Sequence, residues 1–229
     1  MTDIEQEFEN CRITIKQMKQ YEPDPYYISY FLKTYVNLVE KIFSGIFEEA
    51  TNDFGLYISE KINQQTFERE NQTTKDEKSK KFLDWYRIQY QKIDGKSSSK
   101  FIKEITKQSQ TKKIFKIKIM IRAKQRFLDD IFQEIKVILK NGKLTSKEEI
   151  ELEIYKQAPK FLEAINVKRK KNREPTVKIN QIVASTFIEV DERNFEIIYF
   201  AEIYLKTMIK IVQDSRKKIK ELKSNTKIT

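Results

Sequence analysis

The sequence contains no histidine. That removes Ser-His and Cys-His nucleophile systems, imidazole acid–base catalysis and most transition-metal sites, because no other side chain changes charge near neutral pH without help. One cysteine is present, Cys11. A disulfide within the chain is therefore impossible, and so is a thiolate zinc cluster. Cys11 falls on the apolar stripe of a helical pattern and reads as a small buried hydrophobe. Four glycines and four prolines are few for 229 residues, so tight turns are scarce and helices should dominate. No spaced carboxylate motif stands out for a metal, and neither a metal nor a cofactor is expected. The start, "MTDIEQEFEN", is acidic and has no apolar core of a signal peptide. The most apolar long segment, 26–50, is interrupted by Lys33, Glu40 and Lys41 and does not suit a membrane span. The expectation is a soluble, cytoplasmic protein.

What is present is aromatic and ionic. Phe occurs 15 times and Tyr 11 times, enough for a sizeable core, and charged residues make up 34%. Charge is uneven. Residues 1–99 hold 14 Lys+Arg and 17 Asp+Glu, a net of −3, which leaves 31 and 17, a net of +14, for residues 100–229. A strongly basic half suggests an anionic partner; a solvated lysine-rich surface is the alternative.

Ile4, Phe8, Cys11, Ile15 and Met18 recur at spacings of four and three, one stripe of an amphipathic helix. "YEPDPYY" ends it, and Asp24-Pro25 fits the N-cap and first position of a second helix. That helix carries a broad apolar face from Ile28 to Ile46, and 52–55 is a place to bend or stop it. The polar stretch 71–81 reads as a loop. Helices are predicted over 3–20, 25–50, 80–93 and 192–218, packed together, with another beginning near Phe101 after the break "DGKSSS", where a serine can act as cap. Asp191 is the candidate cap of the last helix. Trp85 and Tyr86 can stack on bases, but their place in a helical stripe favours core packing.

The middle is less regular. "IFKIKIMIR" alternates isoleucines with Lys116, Lys118, Met120 and Arg122, the period of a strand with a basic outer face. Ile114, Ile117, Ile121 and Leu128 also fit a helix, so 114–139 stays open between strand and helix. So does 147–157, where "EIELEI" alternates while Ser146 and Glu149 have capping-box spacing. Val177 and Ile179 suggest a further short strand. The fold class is mainly α: a helical bundle with a small β-containing insert before the last long helix. Its parts are 1–112, the N-terminal part of the bundle; 113–190, a basic insert with short strands; and 191–229, the closing helix and a basic tail.

Three pieces, "YISYFLKTYVNLVEKIFSGIFEEATNDFGL", "KFLDWYRIQYQKIDGKSSSKFIKE" and "DERNFEIIYFAEIYLKTMIKIVQDSRKKI", together cover 83 of the 229 residues, a little over a third of the chain. In their order they resemble an archaeal group of HEPN-like helical proteins. Catalytic HEPN domains are typically metal-independent ribonucleases with an arginine followed, four to six residues later, by a histidine. The resemblance places Thr106 where the arginine would be and Thr111 where the histidine would be. A threonine hydroxyl cannot replace a base with a pKa near neutrality. The resemblance thus implies a HEPN-like chain without the usual nuclease centre, and no catalytic residue is assigned.

Two basic runs remain. Ten cations and one acid, Glu104, lie between Lys100 and Arg126; Lys112, Lys113, Lys116, Lys118 and Arg122 are candidates for phosphate contact. "KRKKNR" is the sharpest cluster, and its Lys168, Arg169, Lys170, Lys171 and Arg173 are expected in a loop. Such residues contact a nucleic-acid backbone without reading bases. The leading expectation is a non-catalytic helical protein that binds RNA or DNA backbone through its basic second half and is able to self-associate as a homo-oligomer. The alternative is an interaction or structural module with an acidic protein partner. An enzyme built on an unfamiliar carboxylate or lysine site stands third.

Overall fold

Asp3 starts the first helix: its Oδ1 accepts hydrogen bonds from the amides of Glu5 (3.1 Å) and Gln6 (3.3 Å), two of the donors a helix leaves unpaired at its start. The computed structural model describes residues 3–94, 96–110, 115, 117–122, 147–176, 183–190 and 192–224. Among them are seven helices and three strands: α1 Ile4–Tyr21, α2 Pro25–Phe54, α3 Gln64–Thr74, α4 Glu77–Asp94, α5 Ser97–Gln110, β1 Ile117–Arg122, α6 Lys147–Lys171, β2 Val183–Val190, β3 Arg193–Glu196 and α7 Ile197–Ser224. The fold is mainly helical, with a small antiparallel sheet before the last long helix. No helix among the described residues is long and apolar enough to cross a membrane.

The chain divides into two compact units. The first comprises Met1–Gln20, Tyr30–Phe115 and Ile198–Thr229. Its core collects the stripes read from the sequence. Phe8, Cys11, Ile15 and Met18 of α1 are buried, as are Leu32, Tyr35, Val39 and Ile46 of α2 and Ala201, Tyr204, Met208 and Val212 of α7. Phe31, Trp85 and Leu205 all belong to this unit. The start of α2, up to Ser29, belongs to the second unit: there Asp24 Oδ1 accepts from the Tyr26 amide at 3.0 Å, ahead of Pro25 at the first helical position. At its other end α2 stops at Phe54, before Gly55 with φ +70°, a conformation natural to glycine. Phe47, Phe67, Phe82 and Tyr86 form one aromatic cluster, with ring centroids 4.9 to 6.3 Å apart. Such tilted and edge-on pairs add about 0.5–1.5 kcal/mol each beyond the area they bury.

The loop expected over 71–81 is corrected. α3 runs to Thr74 and α4 starts at Glu77. A capping box fixes the start of α3: Asn63 Oδ1 accepts from the Thr66 amide (3.0 Å), and Thr66 Oγ1 accepts from the Asn63 amide (2.9 Å). Lys75 closes it in the left-handed region, φ 53°. α5 takes in all three serines of "DGKSSS", two of them buried, instead of using one as a cap before Phe101.

The second unit comprises Tyr21–Ser29 and Lys116–Ile197. Its sheet has the order β1-β2-β3, antiparallel throughout, with Ile119 opposite Thr186 and Ile188 opposite Phe195. β1 settles part of the segment left open. Ile117 and Ile119 are buried, Lys118 is half-buried and Met120 is exposed, as period two requires. The remainder of that segment beyond Arg122 lies outside the described residues, as does the strand expected at Val177 and Ile179. β2 was not foreseen. Over 147–157 the helix wins: α6 continues through "EIELEI" to Lys171. Asp191 lies outside the described residues, and its expected role as cap is displaced, since 193–196 is strand and the last helix starts at Ile197.

Candidate functional site

The basic run of the second unit does not lie in a loop. Lys168, Arg169, Lys170 and Lys171 form the last turn of α6, where cations oppose the negative end of the helix dipole. Arg173 follows in the left-handed region, φ 58°. The Glu174 amide donates to the Arg169 carbonyl (2.8 Å) and the Arg173 amide to the Lys170 carbonyl (3.2 Å). This paired pattern is a Schellman cap, with Arg173 in the position glycine usually takes. Arg169 serves the cap itself. Its Nε donates to the Pro175 carbonyl (3.2 Å), its Nη2 pairs with Glu174 (3.0 Å), and its side chain is only 13% exposed. Lys168, Lys170, Lys171 and Arg173 are exposed. The run thus splits into one internal brace and four outward cations held on a fixed turn.

The other sequence candidates are more dispersed. Lys118 on β1 forms an ion pair with Glu189 on β2, which neutralises part of the proposed basic strand face. Arg122 ends β1, opposite Val183. Lys112, Lys113 and Lys116 lie outside the described residues, as does Thr111; Thr106 is half-buried on α5. Tyr86 is buried in the core, while Trp85 is half-buried.

Sequence reasoning missed two grooves in the first unit, on either side of α7. Between α4 and α7 a groove of about 390 Å³ has Trp85, Ile93, Ile203 and Ile211 as its apolar part and Lys92, Lys96, Lys206 and Lys210 around it. All four lysines are exposed. Asp214 is the one carboxylate lining it. Between α1 and α7 a groove of about 380 Å³ has Ile15, Leu205 and Ile209 with Arg12, Lys16, Lys19 and Lys206. Lys206 borders both. In the second groove acids already engage two cations: Arg12 pairs with Glu9 (2.9 Å) and Lys19 with Glu202 (2.5 Å). The signal in the sequence was the i, i+4 spacing of Lys206 with Lys210, which puts that pair on one helix face; Lys96 lies past the end of α4, in the break before α5.

Burial pushes the Cys11 thiol up to about 12, and it pushes the phenols of Tyr35, Tyr86 and Tyr204 upward as well. A hydrogen bond to Asp94 raises Lys103 and so keeps it charged. All these shifts lead away from neutrality, whereas acid–base catalysis needs groups brought toward it. Among the described residues no cluster of His, Cys, Asp and Glu fits a metal ion. Neither a family model nor a curated protein nor a solved structure matches the chain.

Proposed function

We propose that the chain is a non-catalytic binding protein that engages the backbone of RNA or DNA. The carrying observation is the capped end of α6, where Lys168, Lys170, Lys171 and Arg173 stand outward on a rigid turn, beside one exposed apolar residue, Val167. Such a turn suits phosphates, which need positive charge and accept any base sequence. Rigidity helps, because the backbone of the turn is ordered before binding. The threonines that the HEPN resemblance places at 106 and 111 support a role without cleavage.

The test is a salt titration of binding to mixed-sequence single-stranded and duplex oligonucleotides. Lys168, Lys170 and Lys171 are changed together to Ser, while Arg169 is kept so that the cap survives. Each lost phosphate contact should flatten the slope of log affinity against log salt by about 0.9 on a duplex and about 0.7 on a single strand. A variant that folds normally and keeps both its affinity and its slope overturns the reading. A companion variant, Lys118→Ser with Arg122→Ser, asks whether the strand contributes.

A further inference from the structure

The α4/α7 groove of the first unit has a different character from the α6 turn. Its lysines surround an apolar floor, so an ion or a phosphate chain satisfies only half of it. We infer that this groove docks an acidic amphipathic helix of a partner protein. The inference concerns a separate surface and stands whether or not the α6 turn binds nucleic acid.

Three observations define the occupant. The first is length: the lining residues run from Trp85 to Lys96 beside α4 and from Ile203 to Asp214 along α7. At 1.5 Å per helical residue the α7 stretch is about 16 Å, about three turns. A helix of that length presents apolar side chains at i, i+3 or i+4 and i+7, the anchors of helix-in-groove recognition. The second is the arrangement of charge. Lys92 and Lys96 come from one wall, Lys206 and Lys210 from the other. An amphipathic helix has two flanks beside its apolar stripe, and acids on both flanks meet both walls. A single nucleic-acid strand has one line of phosphates and matches one wall only. The third is the floor. Gln89 and Thr207 are its neutral polar side chains, a sparse set for reading the edges of bases, whereas Trp85, Ile93, Ile203 and Ile211 offer apolar contact to Leu or Ile side chains. The α1/α7 groove is less suited, because Glu9 and Glu202 already occupy two of its cations.

The sole tryptophan of the chain, Trp85, lines this groove, so its fluorescence reports occupancy. The probe is a synthetic peptide of about four helical turns with leucines at i, i+3, i+4 and i+7 and glutamates on both flanks. One control is a scramble of the same composition, and another has lysines on the flanks. A mixed-sequence single-stranded oligonucleotide is titrated in parallel. The acidic amphipathic peptide should shift the Trp85 emission and should outbind its scramble. Lys206→Glu with Lys210→Glu should weaken it about tenfold, since like charges then face each other. The same variant should gain affinity for the lysine-flanked peptide. Those four lysines are exposed, so the variant is expected to fold, and circular dichroism checks that. Equal binding of the scramble reduces the groove to general charge attraction and overturns the inference. So does an emission shift with the oligonucleotide but not the peptide, which makes the groove a nucleic-acid site. A concentration-dependent dimer that the double variant abolishes makes a second copy of the chain the occupant, again against the inference.

Discussion

Glu22 Oε1 accepts two hydrogen bonds from Thr186, at 2.7 Å from its amide nitrogen and 2.8 Å from its hydroxyl. Thr186 is fully buried on the central strand. On β1 its partner is Ile119, but pairing with β3 begins one residue later, at Phe187. The third strand therefore stops short of the Thr186 amide, and a carboxylate 164 residues away in sequence supplies the missing acceptor. Leaving a buried amide without a partner costs about 1–3 kcal/mol, more than a typical hydrogen bond gains.

Glu22→Ala should therefore lower stability by about 1–3 kcal/mol, while Glu22→Gln, which keeps an amide oxygen as acceptor, should lose less. Urea unfolding measures both, and hydrogen exchange at the Thr186 amide should accelerate in the alanine variant. Equal loss in the two variants would show that the oxygen is not what matters.

A second expectation concerns alkaline pH. Cys11 has an ordinary value of 9.0 and is pushed to about 12, first by burial and then by the nearby Glu7 carboxylate. Tyr35 is also held above its ordinary 10.0 by burial, and its hydroxyl donates to the Ala201 carbonyl at 2.8 Å. The native state thus keeps protons that the unfolded chain releases. Above pH 9 the unfolded chain binds fewer protons, and stability falls as pH rises, by about 1.4 kcal/mol per unit for a single such group. The contribution of Cys11 is whole below pH 9 and is used up by about 12. Urea unfolding across this range should show a decline that begins near pH 9 and steepens above 10 as the tyrosines join. Cys11→Ala should remove the early part and leave the later one. Identical slopes for the two proteins just above pH 9 would place the decline elsewhere.

How much of this was legible follows from where each signal lives. The stripes of α1, α2, α4 and α7 were readable because each buries one helical face, and periodicity records that. α3 escaped because Phe67 is the one large apolar residue in "QQTFERENQTT", and a capping box, not a stripe, defines its start. β2 escaped for the opposite reason. Ala184 to Ile188 are buried one after another, so no alternation marks the strand. "EIELEI" carried two periods at once, and α6 resolves it as helix. "KRKKNR" was visible as charge, but its division into a brace and four outward cations depends on the left-handed Arg173. The α4/α7 groove stayed hidden because Lys92 and Lys96 belong to the half with a net charge of −3. Summing charge along the chain says nothing about which helices meet.

Arg216 gives the last expectation. On α7 it faces Glu49 of α2 with Nε at 3.0 Å from Oε2 and Nη2 at 2.8 Å from Oε1, a two-point contact, and its Nη1 reaches Glu5 of α1 at 2.5 Å. The two acids differ in exposure: the Glu49 side chain is 23% exposed and that of Glu5 66%. Water and salt screen an exposed pair, which is worth about 0–1 kcal/mol, whereas a shielded fork adds geometry that a lysine cannot reproduce. Arg216→Lys should therefore cost about 1–2 kcal/mol despite keeping the charge. In double-mutant cycles with Glu49→Gln and Glu5→Gln, the coupling to Glu49 should exceed that to Glu5. Only the coupling to Glu5 should fade as salt is raised, since ions screen exposed pairs more than sheltered ones. Equal couplings with equal salt dependence would mean that the fork acts merely as a surface charge, and α7 would then owe its attachment at this point to the apolar contacts beneath.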